Sequence, residues 1–381
     1  MKIKSKRDLG VQFRDNPHRM VGQDGAFSIP TRAGLLWFFG DTLIGARPAD
    51  GSLWYPDGKP VGPLDMSGKA GIDRMMNNSG LLSSNRVGPG GVEEFHYILD
   101  ERGEIKPLIP LEADEDPNRI RVWCLHGVEV EGWIYLYFVK VATVAEGIFP
   151  VNFRILGSGL AIGDSRDWEF NRILSQGSDL WWRADQPHFA SAVLNPPGDY
   201  LYLYGALQGA DQVQRSYLAR VHKEMIKHRD SYEYLCGLEG VAGDPGPAGA
   251  EISRRRRSEG GAIRTPLWSQ HVGEAIPLFE GMPNEQSVSW NSYLGCYLAV
   301  HSLDLTGRIV AHTAPEPWGP WSEPIDLCQI RRPHPENLPY PQLIYAAKEH
   351  PALAKEGGRT IYITYVEFEE YFPHLLEITF E

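Results

Sequence analysis

Gly132-Trp133-Ile134-Tyr135-Leu136-Tyr137-Phe138 opens on a glycine suited to a tight turn and continues as a short aromatic and aliphatic run without helical period, which reads as the second strand of a β-hairpin. The same shape returns four times, as Gly34-Leu-Leu-Trp-Phe-Phe39, Gly198-Asp-Tyr-Leu-Tyr-Leu-Tyr204, Gly295-Cys-Tyr-Leu-Ala-Val300 and Gly358-Arg-Thr-Ile-Tyr-Ile-Thr-Tyr365. A shorter apolar strand stands upstream of each, at residues 26–30, 127–130, 189–194, 287–290 and 343–347. Third strands follow at 159–163, 216–221, 308–312 and 374–378, and two of these are trailed by a tryptophan, Trp168 and Trp321. Hairpin, third strand and edge segment make up a propeller blade, and radial stacking of such blades leaves only short, protected edges. The predicted fold is therefore all-β, a five-bladed β-propeller formed by residues 1–381 as one domain, with 1–20 a peripheral or blade-closing segment. A β-sandwich with long loops is the structural alternative. One stretch, 219–230, reads as a short helix connecting two blades.

Composition narrows the partners. The 381 residues are 42% hydrophobic and 23% charged, within globular bounds, and the formal net charge of -12 argues against a nucleic-acid backbone as ligand. Cys124, Cys236, Cys296 and Cys328 form no Cys-x-x-Cys pair, so neither a zinc site nor a disulfide framework is expected. Residues 1–10 are basic and polar, and no run of eighteen apolar residues occurs. As written the chain reads as cytoplasmic with no membrane partner, or as secreted with a leader already removed. Oligomeric state is left open.

Long insertions follow the first hairpin (46–94) and the third (232–275), and loops of that length are expected over one mouth of the central funnel. The basic run Arg254 to Arg257 reads as a surface loop. In a propeller the innermost strand of each blade lines the axis, so polar residues at its start point into a shared cavity. Asp24 precedes Ala26-Phe27-Ser28, Asp185 precedes Pro187-His188-Phe189, and Glu285 precedes Ser287-Val288-Ser289. Asp41 closes the second strand of the first hairpin. Any one acid alone is as well explained as a turn cap. Carboxylates brought together raise one another's pKa, so that one stays protonated while another remains ionised.

Further funnel candidates are His188, His350, Arg74 and Asn78, with the doublet Trp181-Trp182 as the platform on which the apolar face of a sugar would stack. Trp54, Tyr55 and Trp290 also stand near these segments. No Gly-x-Ser-x-Gly elbow, phosphate loop or dinucleotide motif is present. Oxygen ligands at EF-hand spacing are absent, so no cofactor is expected and a structural calcium is not indicated.

Asp24-Gly25 leading into Leu36-Trp37-Phe38-Phe39-Gly40-Asp41-Thr42, then Met282-Pro283-Asn284-Glu285-Gln286-Ser287-Val288, and finally Glu349-His350-Pro351-Ala352-Leu353 before Thr360-Ile361-Tyr362 resemble the propeller family catalogued as domain of unknown function 4185, some of whose members are endo-D-arabinanases of glycoside hydrolase family 183. The resemblance runs from about residue 20 to the C-terminus and implies a five-bladed propeller that cuts glycosidic bonds of a furanoside or related glycan. It implies acidic catalysts at Asp24, Asp41, Asp185 and Glu285. The roles expected are Glu285 as general acid, Asp24 as base or nucleophile, and Asp185 as the carboxylate that tunes the acid. Two rivals stand beside this reading: a sugar-binding propeller without hydrolysis, and a lyase or tailoring enzyme on the same scaffold, which an apolar funnel would favour.

Overall fold

The computed structural model describes residues 1–47, 51–59, 61, 71–144, 151–240, 264–334 and 338–381. Among these every regular element is a β-strand or a single turn of 3-10 helix. Consecutive strands pair antiparallel into up-and-down sheets. The first sheet is Phe27–Thr31, Gly34–Phe39, Ser79–Ser83 and Phe95–Tyr97; the second is Ile120–Val130, Trp133–Val144, Asn152–Gly163 and Asn171–Arg172. The third is His188–Leu194, Tyr200–Gln208, Gln214–His222 and Glu233–Gly240, and the fourth is Pro277–Asn291, Cys296–Ser302, Arg308–Ala314 and Ile325–Gln329. These two are continuous, because Gln214–Tyr217 also pairs with Pro277–Gly281. The fifth is Ile344–Glu349, Thr360–Glu367 and Pro373–Phe380, and its outer strand is Ile3–Val11.

Alternation explains why the second strand of each sheet is apolar at nearly every position. Successive side chains of a strand point to opposite faces, and here both faces are covered. Leu35, Trp37 and Phe39 enter one core and Leu36 and Phe38 the next. Ile134, Leu136 and Phe138 share that second core, while Tyr135, Tyr137 and Val139 enter the core between the second and third sheets. Likewise Leu201 and Leu203 face one way and Tyr202 and Tyr204 the other, and Ile361 and Ile363 separate from Tyr362. Each such strand is thus glued to two neighbours. Truncating fully buried Phe38 to alanine would cost about 3–5 kcal/mol.

Side-chain contacts, most of them hydrogen bonds, link the first strands of successive sheets and the fifth back to the first. The Phe27 ring lies edge-on to His126 at 5.9 Å, and His126 Nδ1 accepts from the Val193 amide at 3.1 Å. Gln286 Nε2 donates to Ser191 Oγ at 2.9 Å, Ser289 Oγ donates to Glu349 Oε2 at 2.8 Å, and Ser28 Oγ bonds His350 Nδ1 at 2.7 Å.

Sequence reading needs correction in two places here. Residues 219–230 are not a helix: Ala219–His222 completes a strand of the third sheet, and two separate 3-10 turns follow at Lys223–Met225 and Arg229–Ser231. The supposed insertions supply strands, since Ser79–Ser83 is the third strand of the first sheet and Glu233–Gly240 pairs with Arg264–Ser269. Arg254 to Arg257 lie outside the described residues.

Candidate active site

Where the first strands of four of the sheets meet the cavity, their pairing register slips. In the second sheet Cys124 and Gly127 flank a slip, in the third Phe189 and Ala192, in the fourth Met282 and Gln286, and in the fifth Tyr345 and Lys348. A bulge bends a strand and re-aims the side chains beside it. The fourth sheet's slip is the largest: Met282 pairs with Ser302 and Gln286 with His301, so Pro283, Asn284 and Glu285 loop out of the ladder. In the fifth, Ala346 takes a left-handed φ of 62° between Tyr345, which reaches Asp24, and Lys348, which reaches Glu285. The first sheet reaches the same point through Gly25 and Ala26, at φ 82° and 57°.

A cavity of about 390 Å³ lies there, and Asp24, Asp41, Asn284, Glu285 and Tyr345 are among its lining. The Phe-Gly-Asp-Thr segment has a steric reason. Gly40 N donates to Asp24 O at 3.0 Å, and a Cβ on Gly40 would sit 2.7 Å from Asp24 Oδ1. Thr42 then fixes the turn, bonding Gly40 O at 3.1 Å and Ser79 Oγ at 2.7 Å.

The three carboxyls are not equivalent. Burial, reinforced by the negative charges of Glu285 and Asp41, pushes Asp24 up to about 8, against the hydrogen bond it accepts from Tyr345 Oη at 2.9 Å and the charge of Lys348. Burial likewise pushes Asp41 up to about 6, opposed by Arg121 and the nearby Trp123 indole. Arg121 Nε stands 3.7 Å from Asp41 Oδ1, and neither atom has a hydrogen-bond partner. Glu285 instead faces an ammonium: Lys348 Nζ lies 3.2 Å from its Oε1. Lys348 also donates to the Gly25 and Ala346 carbonyls and lies 4.4 Å over the Phe27 ring. Burial lowers its pKa and the Glu285 carboxylate opposes that shift. At neutral pH the cluster therefore presents a protonated Asp24, with Glu285 held 3.2 Å from Lys348 Nζ.

Three of the lining residues carry buried polar atoms that make no hydrogen bond: His188 Nε2, Gln214 Oε1 and Trp123 Nε1. Burial holds His188 down to about 4, so it is neutral. Trp123 meets Phe153 edge-on at 4.7 Å, and Trp54 stacks on Phe368 at 4.8 Å. Among the described residues no cluster of three or more His, Cys, Asp or Glu side chains is arranged to hold a metal ion.

Asp24, Asp41, Glu285 and His188 thus share one cavity, and the remaining candidates do not join them. Asp185 sits in an exposed turn, paired with Arg183 at 3.0 Å, because the strand begins only at His188. Trp181 and Trp182 are fully buried between the second and third sheets, their indole N–H groups donating to Ile173 O and Tyr234 Oη, so no sugar can stack on them. Arg74 is on the surface, 3.5 Å from Glu104. Asn78 is buried with its amide fully used: Nδ2 donates to Ile109 O and Val122 O, and Oδ1 accepts from the Leu108 and Ile109 amides. His350 is a buried peg between Ser28 Oγ and Thr364 Oγ1, its ring 4.4 Å from Trp37. Residues that sequence reasoning passed over are Lys348, Tyr345, Arg121 and Trp123. The signal for Lys348 was a lysine inside an otherwise apolar strand, Tyr345-Ala346-Ala347-Lys348.

The family model described as domain of unknown function DUF4185 matches residues 8–377. No curated protein matches the sequence. Among solved structures, a protein from Bacteroides ovatus ATCC 8483 named, by inference, as a hydrolase is 14% identical, with a TM-score of 0.56 over 98% of this chain and 87% of that one; this likeness is one of fold. CoXyl43, a GH43 β-xylosidase/α-arabinofuranosidase from a compost microbial metagenome, is 15% identical with a TM-score of 0.46, covering 99% and 94% of the two chains. Zg3597, a family 117 glycoside hydrolase from Zobellia galactanivorans, is 11% identical with a TM-score of 0.45, covering 98% and 90%.

Proposed function

The chain belongs to the DUF4185 family, and from that premise we propose that it is a glycoside hydrolase whose five sheets are the blades of a propeller and whose axial cavity is the active site. One observation carries the reading: a carboxyl pushed up to about 8 stands beside a carboxylate ion-paired with a buried ammonium, in one cavity. That is the pairing that acetal cleavage needs. The protonation states exchange the roles expected from the sequence. Asp24 gives its proton to the glycosidic oxygen as the anomeric C–O bond breaks, and Glu285 either takes a proton from the attacking water or attacks the anomeric carbon itself. Asp41 keeps negative charge next to Asp24 and so helps hold its proton. Asp185 takes no part. A furanoside, the sugar class of arabinanases, is the glycone that the family resemblance favours.

Hydrolysis of a panel of aryl and alkyl pentofuranosides and pyranosides, with product anomers followed by NMR, tests this. Asp24→Asn should lower kcat on alkyl glycosides by roughly 10²–10⁴ and recover on a dinitrophenyl glycoside, whose leaving group needs no proton. Recovery by Glu285→Gln instead would return the acid role to Glu285. Saccharide binding without turnover anywhere in the panel would replace the enzyme by a binding propeller.

A second reading, a lyase or tailoring enzyme on the same scaffold, is favoured by the aliphatic part of the cavity: Leu125, Val139, Val141, Ile155, Leu305 and Leu343 line it. Products lacking added water, seen by mass spectrometry, would establish it.

A further inference from the structure

The cavity lining is chemically divided. Asp24, Asp41, Asn284 and Glu285 supply its carboxyls and an amide. Beside them, three strands of the second sheet contribute one continuous face. Trp123 pairs with Val139, Val141 with Ile155, and Thr143 with Phe153. Because side chains alternate, residues 139 and 141 share a face with 153 and 155, and all four line the cavity together with Trp123. The intervening residue Lys140 points the other way and pairs with Glu115 and Asp179 at 2.6 and 2.5 Å. Phe153 remains 47% exposed.

A sugar presents hydroxyls around its ring, and each one desolvated without a partner is costly. The carboxyls of Asp24, Asp41 and Glu285 offer partners for one glycone. The aliphatic face offers almost none to a second sugar. A second sugar seated there would lose its water and gain almost no hydrogen bonds, whereas a hydrocarbon would lose nothing and bury apolar surface.

We propose that the substrate is a glycoside with an apolar aglycone, an alkyl or aryl group, whose sugar sits at Asp24 and Glu285 while the aglycone lies on the face formed by Trp123, Val139, Val141, Phe153 and Ile155. This rests on the glycosidase reading and specifies its leaving-group side. Trp123 stands beside Gly40 and Asp41, and the exposed Phe153 marks where an aryl or long alkyl group would leave the cavity.

Binding of alkyl thioglycosides, which hydrolysis cannot consume, tests it separately from turnover. Calorimetry on the full chain with methyl, butyl, hexyl and octyl thioglycosides of a pentofuranose and of a pentopyranose should show affinity rising about three- to fourfold per buried methylene. Oligosaccharides of the same sugar should bind no more tightly than the methyl compound. The double variant Phe153→Ala, Ile155→Thr should flatten the rise with chain length, with its melting curve recorded to establish folding. Affinity independent of chain length in the wild type, as would follow if the chain's own segments cover this face, overturns the inference, and so does tighter binding of an oligosaccharide than of the octyl compound. A steep rise without turnover of any O-glycoside would instead retain the apolar subsite and remove the hydrolase.

Discussion

Two clusters of acids and bases in this molecule are built from the same residue types and reach opposite states. On the second sheet, Glu115 and Asp179 meet Lys140 and Arg172, two charges of each sign, with Arg172 Nη1 2.8 Å from Glu115 and 2.9 Å from Asp179. Burial pushes the Glu115 carboxyl up, but hydrogen bonds from Arg172 and Lys140 outweigh it and hold it down to about 2. In the cavity three acids, Asp24, Asp41 and Glu285, share Lys348 and an Arg121 that comes no closer than 3.7 Å. There burial wins, and Asp24 keeps its proton. A cluster with matched charges is scaffolding. One left short of positive charge, and open to a cavity, is poised to move a proton.

The comparison can be broken most sharply through Asp24→Asn. Activity should fall by about 10²–10⁴ while the melting temperature holds or rises, since the amide no longer has to be kept uncharged; a fall in stability matching the fall in rate would make Asp24 structural. Arg172→Met should do the reverse, destabilising by about 1.5–3 kcal/mol in urea titrations because it leaves two half-buried carboxylates to Lys140 alone, with turnover per folded molecule retained. That penalty should persist at neutral pH and shrink only in acid, as Glu115 protonates below its unfolded value toward about 2.

A smaller effect separates the clusters by pH. A carboxyl whose folded pKa is raised binds more protons folded than unfolded, so stability falls as pH rises from the unfolded value of 3.8 through about 8. The wild type should therefore lose on the order of 2 kcal/mol relative to Asp24→Asn between pH 6 and pH 8. Asp41 and Glu349, pushed up by burial to about 6 and about 7, contribute slopes of the same sign in both proteins, so the difference isolates Asp24. Least of all, Asp185→Asn should leave the melting temperature unchanged and kcat/KM within about twofold; a larger loss of rate would return Asp185 to the site.

The hairpin repeat was legible because a strand covered on both faces must be apolar at almost every position, and Trp133 to Phe138 meets that demand in sequence. Asp24, Asp41 and Glu285 were legible from their place at the mouths of those strands. Asp185 had the same place in sequence but not in space, because the ladder starts at His188 and leaves the turn before it in solvent. The Trp181-Trp182 doublet misled for a related reason: a tryptophan beside an acid is a platform only if the strand between them turns both to the same side. Lys348 and Arg121 could not be paired with their acids from sequence, since Lys348 meets Glu285 across 63 residues and Arg121 meets Asp41 across 80. Bulges choose those partners, and a bulge has no strong signature when it lies at Ala346 or Leu125 instead of at glycine.

The strand Ile3–Val11 lies along Pro373–Phe380, with Ile3 opposite Phe380 and Lys2 ion-paired to Glu381 at 2.5 Å. Synthesis delivers the first of these strands long before the second. The strand Ile3–Val11 must therefore wait unpartnered until residues 373–380 have been made, and its pairing joins residues more than 360 apart in sequence, the slowest kind of contact to find.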